Sequence, residues 1–428
     1  MEAAQSIILD LGTSSVRCGF SGEDLPRSIF PSKLPKEKEG REVMKLLGRM
    51  EGIDGGVESV DVGGKEVGLG EVMERGEVSE EVNGDEGLFA YMLTYMLTYM
   101  LTYMLTHMLT HSPPFPSTQI KNWDLLTPLL EHTFTTHLDL STESLSHPIL
   151  ISEPPLADKD SREKLTEIMF EVFKVQGVCF CNSSVLSLFA SGRTRGMVVE
   201  CGSGKTHAVP IFEGFSLPHA ILNLPAAGQD VTEYLQKNIK DKLGYNVVKD
   251  MKHSLANCLP VTGPNALLSK VEYSLPDGTP ISIDGVYTSS CCDLLFNPDD
   301  YGIDNVDGGI GEMVGKCMGM VNKDVRLDME RNVVVAGGTT MIDGFTERLK
   351  EEILKSEGME DCAQLNVIPD KTGREPGYNS QRKHAAWIGG SIMASLDTFS
   401  SIQITKQDYE DSGANGEYKK LVHRKAVM

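Results

Sequence analysis

Ile7-Ile-Leu-Asp-Leu-Gly-Thr-Ser-Ser15 is an apolar run that meets an acid and then a turn of glycine and hydroxyl residues. The same design recurs twice. Met197-Val-Val-Glu-Cys-Gly-Ser-Gly-Lys-Thr-His207 repeats it with Glu200 as the acid, and Val333-Val-Val-Ala-Gly-Gly-Thr-Thr340 repeats it without one. Each apolar run reads as a buried strand. Small turn residues let backbone N–H groups approach phosphate oxygens, and the hydroxyls add donors. An acid at a strand end can hold Mg²⁺ through water. One such turn would be only a turn. Three of them, spread over most of the chain, point to two lobes closing on one nucleotide.

The 428 residues suffice for two or more lobes with their own cores. With 40% hydrophobic and 24% charged residues, the chain is globular in composition. A net charge of −21 argues against direct, sequence-independent DNA binding, which needs a positive surface, but leaves open membership of a DNA-bound assembly whose other subunits are basic. The nine cysteines are odd in number and show no Cys-x-x-Cys spacing, so buried thiols in a reducing compartment are expected. The N-terminus, Met-Glu-Ala-Ala-Gln, lacks the basic-then-apolar build of a signal peptide.

Outward from the first turn, Val16 to Phe20 reads as a second strand with a Pro-rich exit through Pro26 and Pro31. Residues 51–87 are acidic and glycine-rich, with Lys65 and Arg75 as the cations, and read as a mobile loop. Tyr-Met-Leu-Thr then repeats four times over 91–106, followed by His107-Met-Leu-Thr. Its uncharged length matches one bilayer, but threonine and tyrosine hold its hydropathy down and no basic cluster orients it. A four-residue period also drifts by roughly 40° per repeat around a helix, so no face stays apolar. An inserted duplication in a loop is the better reading, and no membrane contact is expected.

Order resumes near Trp123. Asp160-Ser-Arg-Glu163 is a capping-box pattern, and behind it Leu165, Ile168, Met169, Val172 and Phe173 fall at helical spacing as one packed face. A strand is expected at 178–180 and a helix at 184–190, closed by Gly192. Further helices are expected at 230–243, 250–259, 345–354 and 387–396, and a hairpin at 273–283 bent at Pro276-Asp-Gly.

These stretches resemble the actin family. Residues 10–31, 147–230 and 333–348 carry the match, with Arg162-Glu-Lys-Leu-Thr-Glu-Ile-Met-Phe, Leu186-Ser-Leu-Phe-Ala-Ser-Gly-Arg-Thr, Trp387-Ile-Gly-Gly-Ser-Ile-Met-Ala-Ser-Leu and Val422-His-Arg-Lys. The resemblance implies an α/β, two-lobed actin-like ATPase fold: duplicated sheet-and-helix lobes around a cleft for ATP (or ADP) and Mg²⁺. It assigns residues 1–32, 119–190 and 384–428 to the base of lobe I, 191–226 and 304–383 to the base of lobe II, and 227–303 to its outer part. Residues 33–118 are a divergent insertion. By position, Gly12, Thr13, Ser14 and Arg17 would meet phosphates, with Arg17 where the family has lysine. Gly202, Ser203 and Gly204 match the second phosphate turn. Gly337, Gly338 and Thr339 match the turn near the ribose. Lys252 and Lys383 flank the nucleoside, and Asp10 and Glu200 fall beside the metal.

The departures from the family pattern bear on activity. Ser183 stands where the family's hydrolysing members position the attacking water with glutamine, and Ser203 replaces a second acid. His207 is retained but without its glutamine partner, and His253 replaces a ribose-contacting glutamate. No catalytic residue is therefore assigned. Phosphoryl transfer depends chiefly on positioning and electrostatics, so hydrolysis should be slow while binding persists. The apolar plug between filament strands falls at Asp299-Asp-Tyr-Gly302, and burying those charges would be costly, so no homofilament is expected.

Thr13-Ser-Ser-Val-Arg17, Gly19-Phe-Ser-Gly-Glu-Asp, Ser152-Glu-Pro-Pro and Val334-Val-Ala-Gly-Gly are similar to the nuclear actin-related protein 4 subfamily. That resemblance implies a nuclear scaffold subunit of a chromatin-remodelling or histone-modifying complex, partnered by other subunits, among them actin and a long helix of a remodelling ATPase. Two alternatives stand beside it. One is a slow ATPase of the wider clan with Glu200 or His207 as general base. The other is a cytoplasmic, cytoskeletal partner of the dynactin or filament-end type. The basic stretch at 419–425 reads as a solvated tail rather than an import signal.

Overall fold

The apolar run at 7–11 and its neighbour at 15–20 pair as an antiparallel hairpin, as a strand–turn–strand pattern requires. The computed structural model describes residues 5–32, 60–62, 65–67, 123–142, 145–239, 243–259, 270–275, 278–303, 308–360, 362–370, 376–413, 419–420 and 422. Its strands are β1 (Ile7–Leu11), β2 (Ser15–Phe20), β3 (Ser28–Pro31), β4 (Val60–Val62), β5 (Lys65–Val67), β6 (Pro148–Glu153), β7 (Gly177–Asn182) and β8 (Gly196–Cys201). They continue with β9 (Thr206–Phe212), β10 (Phe215–Ser216), β11 (Leu222–Leu224), β12 (Lys270–Ser274), β13 (Pro280–Asp284), β14 (Val333–Ala336), β15 (Val367–Ile368) and β16 (Ile404–Thr405). Helices of eight residues or more among the described residues are α1 (Trp123–His132), α2 (Lys159–Glu167), α3 (Ser183–Ala190), α4 (Gly228–Asn238) and α5 (Tyr245–Leu255). After them come α6 (Ile310–Met320), α7 (Lys323–Arg331), α8 (Phe345–Lys355), α9 (Ala385–Ala394) and α10 (Lys406–Gly413).

The chain divides into two units, residues 1–32 with 113–428, and residues 33–112. In the second unit β4 and β5 form an antiparallel pair. The first unit holds two six-stranded sheets, ordered β16-β7-β6-β1-β2-β3 and β10-β9-β8-β14-β15, with β11 also on β9. The two sheets share one plan. In the first, hairpin β1–β2 takes β6 in parallel on the outer side of β1, and β7 in parallel beyond it. In the second, hairpin β8–β9 takes β14 in parallel, and β15 beyond it. This confirms duplicated sheet-and-helix lobes. β14 is buried throughout, as a parallel strand covered on both faces should be.

Helix α3 lies between the two sheets. Leu186 packs with Ile8, Leu150 and Trp387 on the first sheet's side. Val185 and Leu188 pack with Val198, Val209 and Val334 on the second. Helix α9 crosses α3 closely, because Gly389 sits on the backbone of Leu186 with no room for a Cβ. Trp387, fully buried two residues earlier, donates its ring N–H to the Ile8 carbonyl at 3.2 Å.

Several local readings are corrected. The cap of α2 is Asp158, whose carboxylate accepts from the Ser161 amide at 3.2 Å, two residues before the expected Asp160. The helical face behind it does not run straight. Residues Ile168–Val172 form a π turn, whose wider spacing buries Phe170 and leaves Val172 49% exposed. Helix α4 begins at Gly228 and is described to Asn238, and α5 spans Tyr245–Leu255, starting and ending earlier than the expected 250–259. The hairpin at 273–283 is present as β12–β13, although Pro276 and Asp277 lie outside the described residues. The mobile-loop reading of 51–87 and the Tyr-Met-Leu-Thr repeat also fall outside them, apart from β4 and β5. The nine cysteines are free thiols, eight of them buried, and burial pushes Cys317 up to about 12, which keeps such thiols inert. Among the described residues no helix is long and apolar enough to cross a membrane.

Gly389→Ala should lower stability by about 1–3 kcal/mol, because the helix crossing cannot widen without opening both cores. Urea unfolding measures it. Gly319→Ala, in the same kind of structure but facing open space on α6, should be neutral or slightly stabilising.

Candidate functional site

The three turns meet. Turn one, between β1 and β2, is closed by the Gly12 amide on the Ser15 carbonyl at 3.2 Å, with Ser32 Oγ donating to the Gly12 carbonyl at 2.5 Å. Turn two, between β8 and β9, is closed by the Gly202 amide on the Lys205 carbonyl at 3.1 Å. A Cβ on Gly204 would come within 2.9 Å of the Thr13 hydroxyl, so only glycine lets the two turns approach this closely. Turn three follows β14. Gly337 has φ +95°, a conformation open to glycine, and a Cβ there would overlap the Cys201 carbonyl. Thr339 Oγ1 then donates to the Gly202 carbonyl at 2.7 Å, which ties turn three to turn two. Among the described residues the amides of Thr13, Ser14, Ser203 and Gly204 donate to no acceptor of the chain, leaving them for a ligand.

The space between the turns is a cavity of ≈ 390 Å³. It is lined by every residue the sequence singled out: Asp10, Gly12, Thr13, Ser14, Arg17, Ser183, Glu200, Gly202, Ser203, Gly204, His207, Lys252, His253, Gly337, Gly338, Thr339 and Lys383. The lining also brings in charged groups that sequence reasoning missed, Glu153, Asp158, Arg162, Lys205, Lys249 and Arg382. Seven cations, Arg17, Arg162, Lys205, Lys249, Lys252, Arg382 and Lys383, face four carboxylates, Asp10, Glu153, Asp158 and Glu200. A strongly acidic chain thus concentrates positive charge in its cavity. Their sequence signal was weak, because the cations come from separate elements and only folding gathers them.

Each acid at a strand end has a basic residue across the hairpin, in the same register. Asp10 pairs with Arg17 across β1–β2, and Glu200 pairs with His207 across β8–β9. The outcomes differ. Arg17 Nη1 bonds Asp10 Oδ2 at 2.7 Å, its Nε donates to His384 Nδ1 at 3.0 Å, and Ser152 Oγ donates to Asp10 Oδ1 at 2.6 Å. His207 turns away to Asn223 Oδ1 at 2.6 Å, its neighbour across β9–β11. Asn223 is thus the hydrogen-bond partner of His207 in this structure. Burial lowers the His207 pKa, which keeps the ring neutral. Glu200 instead accepts two hydroxyls on one oxygen, Ser183 at 2.9 Å and Ser184 at 3.1 Å. Burial raises its pKa above the usual carboxylate range.

The donors do not fit a divalent cation held by side-chain oxygens. Both Asp10 oxygens and one of Glu200 are engaged, a guanidinium stands beside Asp10, and Ser203 supplies no charge. Among the described residues no group of three or more His, Cys, Asp or Glu side chains could hold a metal.

Three further residues shape the cavity. Lys249 Nζ donates to Ser14 Oγ at 2.5 Å, reaching from α5 to turn one. Lys252 is buried, its Nζ donating to the Gly228 carbonyl at 2.7 Å, and burial lowers it to about 8. Ser187 Oγ, one turn past Ser183 on α3, is buried without a hydrogen-bond partner and lines the same cavity. An orphaned polar atom at a cavity wall marks a place for a ligand or water atom.

The family model described as Actin matches the chain over residues 1–253 and 243–427. The chain belongs to the actin family.

Lys252 gives a pH signature. Its folded pKa of about 8 lies below the ordinary 10.5, so between those values the unfolded chain binds more protons and this group's contribution makes stability rise with pH. Lys252→Met should remove that rise. In urea unfolding at pH 7.5 and pH 10, the stability of the variant relative to the parent should fall by on the order of 2 kcal/mol toward the higher pH.

Proposed function

We propose that this actin-family chain is a nucleotide-holding, non-filamentous scaffold subunit of a nuclear chromatin-remodelling or histone-modifying complex, and that it hydrolyses ATP slowly or not at all. The observation that carries the reading is the fate of Ser183. At the place where hydrolysing members orient the attacking water, this side chain is short and its hydroxyl is committed to Glu200 at 2.9 Å. One oxygen of Glu200 already accepts both serine hydroxyls, so that oxygen is not free to take a proton from water. His207 is neutral but already bonded to Asn223.

Binding is favoured by the same site. The cation excess and the four open amides suit the phosphates of ATP or ADP, and the cavity volume is in the range of small-molecule sites. The scaffold role is supported by Asp299 and Asp300, both exposed where a filament would bury apolar surface. The nuclear assignment rests on the short strings shared with the actin-related protein 4 subfamily. Partners would be the other subunits, with actin and a long helix of a remodelling ATPase among them.

The protein purified natively should retain ADP or ATP, released by acid and identified by chromatography, while phosphate release in a coupled assay stays near background. Turnover matching conventional actin would refute the scaffold reading of the site. Affinity capture from fractionated cells should recover remodelling subunits from nuclei. Recovery with microtubule motors would assign the chain to the cytoskeleton instead.

A further inference from the structure

The pairing of Arg17 with Asp10 has a consequence for how phosphates are held. A divalent cation in such a cleft would bridge a carboxylate and the phosphate oxygens. Here Asp10 already has a cationic partner from the chain itself. Arg17 and Asp10 are direct neighbours in the β1–β2 register, so their contact is fixed by the hairpin and not by a flexible loop. The pair is 17% and 13% exposed, Asp10 is held on its other oxygen by Ser152, and His384 accepts from Arg17 Nε. A guanidinium has five N–H donors. Among the described residues the Nη2 group of Arg17 meets no acceptor of the chain, and the residue lines the cavity beside the open amides of Thr13 and Ser14.

We propose that Arg17 takes the place of the divalent cation, with Nη1 of its guanidinium on Asp10 and Nη2 on the phosphates, so that this chain binds nucleotide without a metal. A divalent ion at Asp10 would face a fixed positive charge at contact distance. The surplus of cations lining the cavity supplies the remaining neutralisation. This inference rests on the nucleotide-binding reading above.

The test is nucleotide affinity with and without metal. ADP and ATP are titrated by calorimetry into the full chain, stripped of nucleotide, in EDTA and in Mg²⁺. The parent should show affinities within about threefold in the two buffers. Arg17→Gln should bind at least tenfold more weakly in EDTA and recover in Mg²⁺, because the freed Asp10 can then take the ion. Electron paramagnetic resonance with Mn²⁺ and ADP should find no protein-bound ion in the parent beyond what ADP itself carries, and a new bound ion in Arg17→Gln. Asp10→Asn, which keeps the arginine, should remain metal-independent, and circular dichroism checks that both variants fold. A tenfold loss of affinity by the parent in EDTA would overturn the proposal, as would metal-independent binding by a folded Arg17→Gln. Absence of binding in both buffers would overturn it too, and would remove the nucleotide reading itself, which metal dependence alone would leave standing.

Discussion

The structure depends on one close approach, the backbone of Leu186 on α3 against Gly389 on α9. Helix α3 belongs to both cores. One face closes the first sheet through Leu186, and the other closes the second through Val185 and Leu188. Helix α9 presses it there, and Trp387 fixes α9 to β1 by its bond to the Ile8 carbonyl. Because α3 also lines the cavity with Ser183 and Ser187, the packing that joins the lobes and the wall of the site are the same helix. Interiors at native density do not absorb small shifts. The relative position of turns one and two is therefore set by apolar packing, before any ligand binds.

The sequence revealed the strands and turns because their signals are local. A buried strand running into Gly-Thr or Gly-Ser is visible in ten residues, and the residues singled out at all three turns do line one cavity. What it missed is non-local or depends on fine geometry. Asn223 reaches His207 only through the β9–β11 register. Lys249 reaches Ser14 from a distant helix. Arg17 was read as a phosphate ligand, and the same spacing that placed it on the next strand also placed it opposite Asp10. The cap at Asp158 and the π turn after α2 were missed because a four-residue pattern assumes a regular helix, and the chain widens its turn there to bury Phe170.

Charge tells a second part of the same story. The chain carries a net −21, yet the described cavity wall holds more cations than carboxylates. A low-dielectric cleft lined by one sign of charge focuses its field, so an anion is drawn to the cavity and repelled from much of the rest of the surface. Buried cations such as Lys252, which burial lowers to about 8, are costly to keep charged without an anionic partner. A phosphate group would offset that cost, which couples ligand occupancy to the stability of the two-lobed unit.

The duplicated plan shows how the two halves diverged. Both have an acid at a strand end and a base seven residues on, facing it across a hairpin. In the first half acid and base remain joined, as Asp10 and Arg17. In the second they separate: His207 goes to Asn223, and Glu200 is quenched by two serines from α3. The Ser183 hydroxyl is thereby committed to Glu200, and one carboxylate oxygen is taken by both serines. Each half has thus satisfied its acid internally while leaving its turn amides open. Among the described residues Ser183, His207 and one oxygen of Glu200 are bonded within the protein, and the amides of Thr13, Ser14, Ser203 and Gly204 are not. That division follows from side-chain length and register.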